Sequence, residues 1–193
     1  MISAIKVIRE EKLYDGFYKL TRYDIQVPSF HDNTCSLVIR REILSCYDSV
    51  MVLIYAASLD SFVFVQQFRN GVFAHPQSDD PFIFECVAGM IDSSLSPEDI
   101  ARKEVFEETG IQVKSLQKIA LTYKSPGMIT EKCHLYLAAI TAMPNVGIYG
   151  VEDEEIKTHV IPRKQTYKMM DDMQIVDSET LLALNWFRAN HRE

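Results

Sequence analysis

The sequence predicts a mixed α/β fold, because strand-like and helix-like patterns alternate along its 193 residues. Apolar and polar residues alternate over residues 1 to about 45, as expected for strands with one solvated face. A capped helix is predicted at residues 96–109, and two further helices close the chain. Strands lie between these helices, so the whole pattern is that of an α/β sandwich with a mixed sheet.

Residues 1–45 predict a small antiparallel β segment ahead of the main domain. Asp15-Gly16 is a strong hairpin-turn signal within it. A segment of this size does not bury a core alone, so we expect it to pair with a second copy of the chain in a homodimer. The main domain is assigned to residues 46–193.

The main domain begins with two strands dense in apolar residues, SVMVLIYAAS and SFVFVQQFR, which favour a central place in the sheet. A loop with the sequence NGVFAHPQSDDP then leads to a strand that ends at Gly89. The remaining strands are predicted at about 111–124, 132–142 and 155–161, and the closing helices at about 163–173 and 178–191.

The helix at residues 96–109 carries start and stop signals at both ends. Ser96 suits the N-cap, Pro97 the first helical position, and Glu98 the positive end of the helix dipole. Gly110 suits the left-handed residue that follows a helix. These signals fix which residues share each face of the helix.

The bulk properties exclude several classes of protein. The formal net charge is -7 at pH 7, which argues against a nucleic-acid partner because such proteins usually carry a basic face. No apolar run approaches the length of a membrane span, and the charged N-terminus does not resemble a signal peptide. The four cysteines lack zinc-ligand spacing. We therefore predict a cytoplasmic protein with reduced cysteines and no membrane partner.

Three glutamates on the predicted helix carry the chemistry. Glu104 lies one turn before Glu107 and Glu108, so the three carboxylates share a face. Like charges at this spacing destabilise a helix. A hard divalent cation that binds the carboxylate oxygens reverses that effect, because it neutralises the charges. The pattern indicates a Mg²⁺ or Mn²⁺ site, with a solvated acidic face as the alternative.

The segment GMIDSSLSPEDIARKEVFEETGI resembles the Nudix box, G-x5-E-x7-R-E-U-x-E-E-x-G-U, where U is aliphatic. The matching residues are Gly89, Glu104, Val105, Glu107, Glu108, Gly110 and Ile111. Two positions depart from the pattern, since the family's first glutamate falls on Leu95 and its arginine on Lys103. Lysine keeps the positive charge but loses the planar, two-pronged donor.

The resemblance implies roles for the residues that match. Glu104 and Glu108 look like direct metal ligands, and Glu107 looks like a direct or water-mediated one. In the ADP-ribose branch of the family the carbonyl before the box glycine also binds metal, and here that residue is Ala88. The implied cofactor is Mg²⁺ (or Mn²⁺), and the implied fold is the Nudix α/β/α sandwich.

Segments outside the box resemble the ADP-ribose and sugar-nucleotide pyrophosphatase branch: VFVQQFRN, FIFECVAGMID, YKSPGMITEK and VGIYGVEDEEIKTHVI. This branch implies hydrolysis of a nucleoside diphosphate sugar, with ADP-ribose favoured and AMP and ribose 5-phosphate as products. It also implies that the N-terminal segment serves dimerisation and the substrate pocket. A UDP-sugar or GDP-sugar substrate is the alternative, and a non-catalytic Nudix sensor of nucleotide sugars is the second.

Five residues are candidates for substrate binding. Arg41 and Arg69 are possible contacts for phosphate or ribose, with surface cations as the alternative. Glu85 lies within an apolar strand, where a carboxylate is costly unless it is paired or coordinates something. Gly127 allows a ligand to approach the backbone closely. Glu131 either binds sugar hydroxyls or is a surface strand residue.

The general base is predicted outside the box helix, at Glu152. Metal-bound carboxylates are poor bases because the cation lowers their pKa, so a separate carboxylate is needed to take the proton from water. The loop that contains Gly147 and Gly150 has the composition of a mobile segment. In the resembling branch the base lies on a loop at this point, two residues before a second glutamate. Glu154 matches that second position and is the alternative base.

Overall fold

The computed structural model describes residues 5–29, 36–77, 79–151 and 154–191. The chain divides into two units, Met1–Asp48 with Tyr123–Lys132, and Ser49–Thr122 with Cys133–Glu193. Within the described residues no helix has both the length and the apolar character needed to cross a lipid bilayer. Each unit is taken in turn below.

The first unit is built on a three-stranded antiparallel sheet, β1 (Lys6–Asp15), β2 (Lys19–Pro28) and β3 (Ser36–Ser45), in that order. The predicted hairpin is confirmed, since Asp15 pairs with Lys19 across the turn that contains Gly16. Leu44 of β3 also bridges to Ile129, which brings residues 123–132 into this unit. Nearly every residue of β1 is exposed.

The second unit contains an eight-stranded mixed sheet. Its strands are β4 (Ser49–Ala56), β5 (Ser61–Phe68), β6 (Phe82–Glu85), β7 (Val87–Met90), β8 (Gln117–Tyr123), β9 (Lys132–Ile140), β10 (Ile148–Tyr149) and β11 (Ile156–Pro162). The order is β10-β11-β5-β4-β9-β8, with β6 beside β5 and β7 beside β4. The sheet is mixed because β4 runs parallel to β9 and antiparallel to β5.

The sheet is packed on both faces by helices. The short helix α1 (Asn70–Phe73) buries no residue, and the helices that pack on the sheet are α2 (Pro97–Thr109), α3 (Arg163–Asp171) and α4 (Ser178–Asn190). Alternate residues of β4 point to opposite faces: Val52 packs in the core layer that holds Val105 of α2, whereas Leu53 packs in the layer that holds Leu184 of α4. Each such buried side chain contributes roughly 1.5–3 kcal/mol. The predicted α/β/α sandwich is confirmed.

One predicted strand is shorter in the structure. Residues 111–116, which were expected to open the strand at 111–124, lie outside it, and the strand spans only Gln117–Tyr123. Ile111, Val113 and Leu116 pack against the α2 layer of the core instead. Their apolar spacing therefore reflects burial without strand pairing.

Candidate active site

Local signals in the sequence position helix α2. The Ser96 Oγ accepts a hydrogen bond from the Asp99 N–H at 3.2 Å, and Pro97 occupies the first turn. Gly110 ends the helix with a φ of 68°, a left-handed conformation that favours glycine. The predicted helix and both of its caps are thus confirmed, and they place Glu104, Glu107 and Glu108 in the last two turns.

Gly89 at the end of the preceding strand makes room for Glu104. A Cβ atom at Gly89 would lie 2.3 Å from the Glu104 Cδ, far inside contact distance. The glycine of the box motif therefore leaves the space that the Glu104 carboxyl occupies. Burial raises the pKa of Glu104, and the neighbouring positive charge of Lys103 lowers it in part.

Glu108 is the most unusual group in the unit. It is only 3% exposed, and its Oε2 is buried with no hydrogen-bond partner among the described residues. Burial raises the Glu108 pKa well above its ordinary value, and the charge of Glu104 raises it further. Arg69 and a backbone hydrogen bond from Ala88 act in the opposite direction. A buried carboxylate in this state is costly unless a cation reaches it.

Lys103 pairs with Glu104 and Glu107, the other two glutamates of the box motif. Its Nζ lies 2.7 Å from the Glu107 Oε2 and 3.3 Å from the Glu104 Oε1. Leu95, where the family has a glutamate, is 49% exposed. Glu98, an acidic residue three positions after Leu95, forms an ion pair with Arg102 at 3.3 Å, so its partner is a different cation from Lys103.

The donor set suits a hard divalent cation. Throughout the part of the chain that the structure describes, no three acidic, histidine or cysteine side chains are already grouped as a metal site. A single ammonium group, that of Lys103, pairs with both Glu104 and Glu107. The unpartnered Glu108 oxygen still points to a missing positive charge, and carboxylate and carbonyl oxygens are the ligands that Mg²⁺ and Mn²⁺ prefer.

Arg69 and Glu85 form an ion pair beside these carboxylates. The Arg69 Nε donates to the Glu85 Oε2 at 2.6 Å, and the Glu85 side chain is only 7% exposed. The buried charge that the sequence flagged in strand FIFEC is therefore paired. The positive charge of Arg69 also lowers the pKa of Glu108.

Glu154, which follows β10 along the chain, acts on two of these carboxylates. The charge of Glu154 raises the pKa of both Glu104 and Glu108. Gly150 lies close to Glu154: it has a φ of 115°, and a Cβ atom there would lie 2.3 Å from the Glu154 carbonyl oxygen. The other candidate base, Glu152, lies outside the described residues.

The family model for the NUDIX domain matches residues 47–183, about 70% of the chain. This chain belongs to the Nudix family. The family prediction from the box motif is confirmed, and α2 is the Nudix helix.

Several relatives of this Nudix protein match along nearly all of it. The ADP-ribose pyrophosphatase of Haemophilus influenzae is 35% identical over 98% of this chain and 88% of its own length. The enzyme of the same name from Escherichia coli (strain K12) is 32% identical over 98% and 90%. The GDP-mannose pyrophosphatase of Yersinia enterocolitica is 33% identical over 96% of both.

A solved structure supports the fold of this Nudix protein independently. The crystal structure of an ADP compounds hydrolase has a TM-score of 0.76 to this chain, with 100% of this chain and 99% of the other covered. The sequence identity is 16%, so this likeness is one of fold alone.

Three of the predicted substrate residues of this Nudix protein belong to its first unit. The exposed Arg41 donates from Nη1 to the carbonyl of Arg40 at 2.7 Å. Gly127 lies in a turn, with open space where a Cβ would stand. Glu131 forms an ion pair with Lys124 at 3.2 Å. Their roles toward a ligand remain predictions.

The contacts of Lys103 with Glu104 and Glu107, two of the predicted metal ligands, were not predicted from the sequence. The contact with Glu107 follows from i, i+4 spacing, which was readable from the sequence. Although lysine lacks the planar donor of the family's arginine, its ammonium group contacts both glutamates.

Proposed function

We propose that this Nudix protein hydrolyses the diphosphate of a nucleoside diphosphate sugar, with ADP-ribose favoured and AMP and ribose 5-phosphate as products. The observation that carries the proposal is the buried Glu108 carboxylate beside Glu104 on the Nudix helix, with no hydrogen-bond partner for its Oε2 in the described structure. The near-full-length relatives named for ADP-ribose and GDP-mannose hydrolysis support the substrate class.

The cofactor is proposed to be Mg²⁺ or Mn²⁺, held by the carboxylates of Glu104, Glu107 and Glu108 and by the Ala88 carbonyl. When bound, such a cation neutralises diphosphate charge and activates water. The protein contributes a fixed helix, a glycine that leaves room for Glu104, and a dry environment for Glu108. It also contributes the Arg69 guanidinium, whose positive charge suits a phosphate or the ribose.

The remaining binding roles follow from charge and access. Arg41 is proposed to contact phosphate, Gly127 to allow close approach of the sugar nucleotide, and Glu131 to accept hydrogen bonds from sugar hydroxyls. Glu85 is proposed to act through Arg69, which it contacts at 2.6 Å. Its buried position makes a direct contact with a solvated sugar less favourable than this pairing.

The general base is proposed to be Glu152, with Glu154 as the alternative. A base must be free to accept a proton from the attacking water, and the Nudix helix carboxylates are committed to cation binding. The electrostatic effect of Glu154 on Glu104 and Glu108 supports a base on this loop. Glu152→Gln should lower kcat by about two orders of magnitude or more while substrate and Mg²⁺ still bind. A dead Glu154→Gln enzyme beside an active Glu152→Gln enzyme would assign the role to Glu154.

The test of the main proposal is a substrate panel. ADP-ribose, GDP-mannose and a UDP-sugar are incubated with the protein, with and without Mg²⁺, and phosphate is measured after coupled phosphatase treatment. We expect Mg²⁺-dependent release, fastest from ADP-ribose. Glu108→Gln should greatly reduce this release. Glu98→Gln, which removes a solvent-facing acid of the same helix, is its matched control. Phosphate release that EDTA does not suppress would refute the metal assignment.

A GDP-sugar or UDP-sugar is the second substrate candidate. The GDP-mannose pyrophosphatase of Yersinia enterocolitica is nearly as similar, at 33% identity, as the ADP-ribose relative at 35%. A higher kcat/KM for GDP-mannose in the same panel would favour this candidate.

A non-catalytic sensor is the third candidate, and the departures at Leu95 and Lys103 favour it. Lys103 neutralises two of the three box carboxylates without any metal. Binding of nucleotide sugars by calorimetry, without phosphate release from any of them, would identify a sensor.

A homodimer in the cytoplasm is also proposed. Strand β1 lies at an edge of its sheet, and its aliphatic residues Val7 and Ile8 are about half exposed. An exposed aliphatic edge strand favours pairing with another chain. Light scattering should give twice the 22.2 kDa chain mass, and Val7→Lys should shift the equilibrium toward the monomer. A wild-type monomer at micromolar concentration would contradict the proposal.

A further inference from the structure

The chain changes partner strands at a single residue beside the active site. β6 pairs with β5 as far as Glu85, and β7 pairs with β4 from Val87 onward. Cys86, between them, is fully buried, and its N–H donates to the side-chain oxygen of Thr180 at 2.9 Å. A buried N–H requires a partner, and here a residue 94 positions later in the chain supplies it.

The residues that flank this strand switch belong to the site. Glu85, one residue earlier, holds the Arg69 guanidinium at 2.6 Å. Ala88, two residues later, pairs with Met51 of strand β4, and Gly89 after it leaves the space that the Glu104 carboxyl occupies. The position of the Cys86 backbone therefore affects the placement of a cationic group and of a carboxylate at the same time.

Thr180 is itself held firmly at the start of helix α4. Its N–H donates to the Asp177 Oδ2 at 2.8 Å, which caps the helix, and the residue is fully buried. Its hydroxyl also faces the Met51 sulfur of strand β4 at 3.9 Å. The hydroxyl thus connects the capped helix α4 with strand β4 and with the junction between β6 and β7.

We propose that Thr180 is a positioning residue for the active site, acting through the Cys86 backbone. Without the hydroxyl, the Cys86 N–H has no acceptor in a dry interior, and the strand switch shifts or opens to find one. Glu85 and Ala88 then lose their fixed positions. The catalytic consequence of this inference rests on the proposed function, whereas its structural consequence does not.

The experiment compares Thr180→Val, which keeps the side-chain shape but removes the hydroxyl, with Thr180→Ser, which keeps the hydroxyl. Thr166→Val is the matched control, because Thr166 is also fully buried and lies on helix α3, where its hydroxyl donates at 3.5 Å to the carbonyl of Ile161, five residues earlier at the end of β11. Three quantities are measured: amide exchange across residues 82–90, Mn²⁺ affinity, and kcat and KM for ADP-ribose.

In Thr180→Val we expect exchange at residues 82–90 to rise about tenfold, the scale of one lost hydrogen bond. Mn²⁺ affinity and kcat should fall by about fivefold or more, with a smaller change in KM. Thr180→Ser and Thr166→Val should stay within about twofold of wild type in all three quantities.

Two results would overturn the inference. Unchanged exchange in Thr180→Val would show that the hydrogen bond does not hold the strand switch. Faster exchange with unchanged Mn²⁺ affinity and kcat would show a purely structural role. A wild-type protein that hydrolyses nothing on the substrate panel would instead refute the proposed function, and the exchange and Mn²⁺ measurements would still decide the role of Thr180.

Discussion

Helices α2 and α4 have the same length, 13 residues, and each buries a glutamate, but in opposite circumstances. In α4, Glu179 lies in the first turn, is 6% exposed and accepts a hydrogen bond from the Ser178 hydroxyl at 2.7 Å. In α2, Glu108 lies next to the last residue, is 3% exposed and has an oxygen without a partner in the described structure.

The helix dipole sharpens this difference. The N-terminal end of a helix favours a negative charge, and the C-terminal end disfavours one. Glu179 therefore stabilises α4 where it lies, whereas Glu108 opposes the dipole, the burial and the nearby charge of Glu104 together. A carboxylate retained against three unfavourable effects indicates a site that a cation completes. A buried acid is informative when its local environment disfavours the charge.

The largest effect is expected from substituting Glu108, and substitution of Glu179 should not produce it. Glu108→Gln should lower hydrolysis by about two orders of magnitude or more, because a preorganised charge at the reacting site is lost. The same change should raise the free energy of unfolding of the metal-free protein at pH 7, because it removes an unpartnered buried charge. Phosphate release and urea denaturation in EDTA measure the two quantities.

Glu179→Gln is the matched control for that prediction. It should leave hydrolysis within about twofold of wild type and lower the free energy of unfolding by roughly 0.3–1 kcal/mol, the scale of a charge at a helix terminus. If both substitutions lowered stability and spared activity, the two glutamates would be equivalent and the comparison would fail.

The pH dependence of stability gives the next effect. The folded-state pKa of Glu108 is raised, so proton binding favours the folded state. This stabilisation is fully present below the unfolded glutamate pKa and is lost as pH rises through the raised folded value. The stability advantage of Glu108→Gln over wild type, measured in EDTA, should therefore be small near pH 4 and grow toward neutral pH. Saturating Mn²⁺ should shrink or reverse it, and a pH-independent difference would contradict the argument.

Local signals explain what the sequence predicted. Ser96 and Gly110 cap α2 as expected, and helical periodicity alone places Glu104, Glu107 and Glu108 on one face. The order of strand-like and helix-like patterns along the chain predicted the sandwich, because the period of each strand or helix is visible within a few residues. Short-range physics was sufficient for these features.

Long-range contacts explain what the sequence did not predict. The hydrogen bond between Cys86 and Thr180 joins residues 94 positions apart, and neither residue carries a signal of it. The room that Gly89 gives to Glu104 depends on how a strand end meets a helix. Ile111 and Val113 have the apolar spacing of a strand because both pack against the core, although they lie in an irregular segment. Each of these depends on packing that no local pattern specifies.

A smaller effect is expected from removing the Lys103 ammonium group on α2. Lys103→Met should tighten Mn²⁺ binding by about three- to tenfold, because the ammonium no longer repels the metal or pairs with Glu104 and Glu107. Arg102→Met is the control: Arg102 is the next cation on the helix, but its partners are Glu98 and Asp99. Titration followed by Mn²⁺ electron paramagnetic resonance gives both affinities. Weaker binding in Lys103→Met would show that the lysine orients the ligands.

The smallest effect is expected from restoring the family pattern at positions 95 and 103. Leu95→Glu combined with Lys103→Arg should preserve or modestly raise kcat, because a guanidinium can form a two-pronged pair with the new carboxylate. The guanidinium at position 103 would then pair with the carboxylate at position 95 and would release Glu104 and Glu107 for metal binding. Lys103→Met releases the same two carboxylates by removing the positive charge. Ser94→Glu with Lys103→Arg adds the same charges one residue away and is the control. A large loss of kcat with unchanged thermal stability would show that Leu95 and Lys103 form a supporting arrangement of their own, in which the exposed leucine and the shared ammonium suit this active site better than the ion pair of the motif.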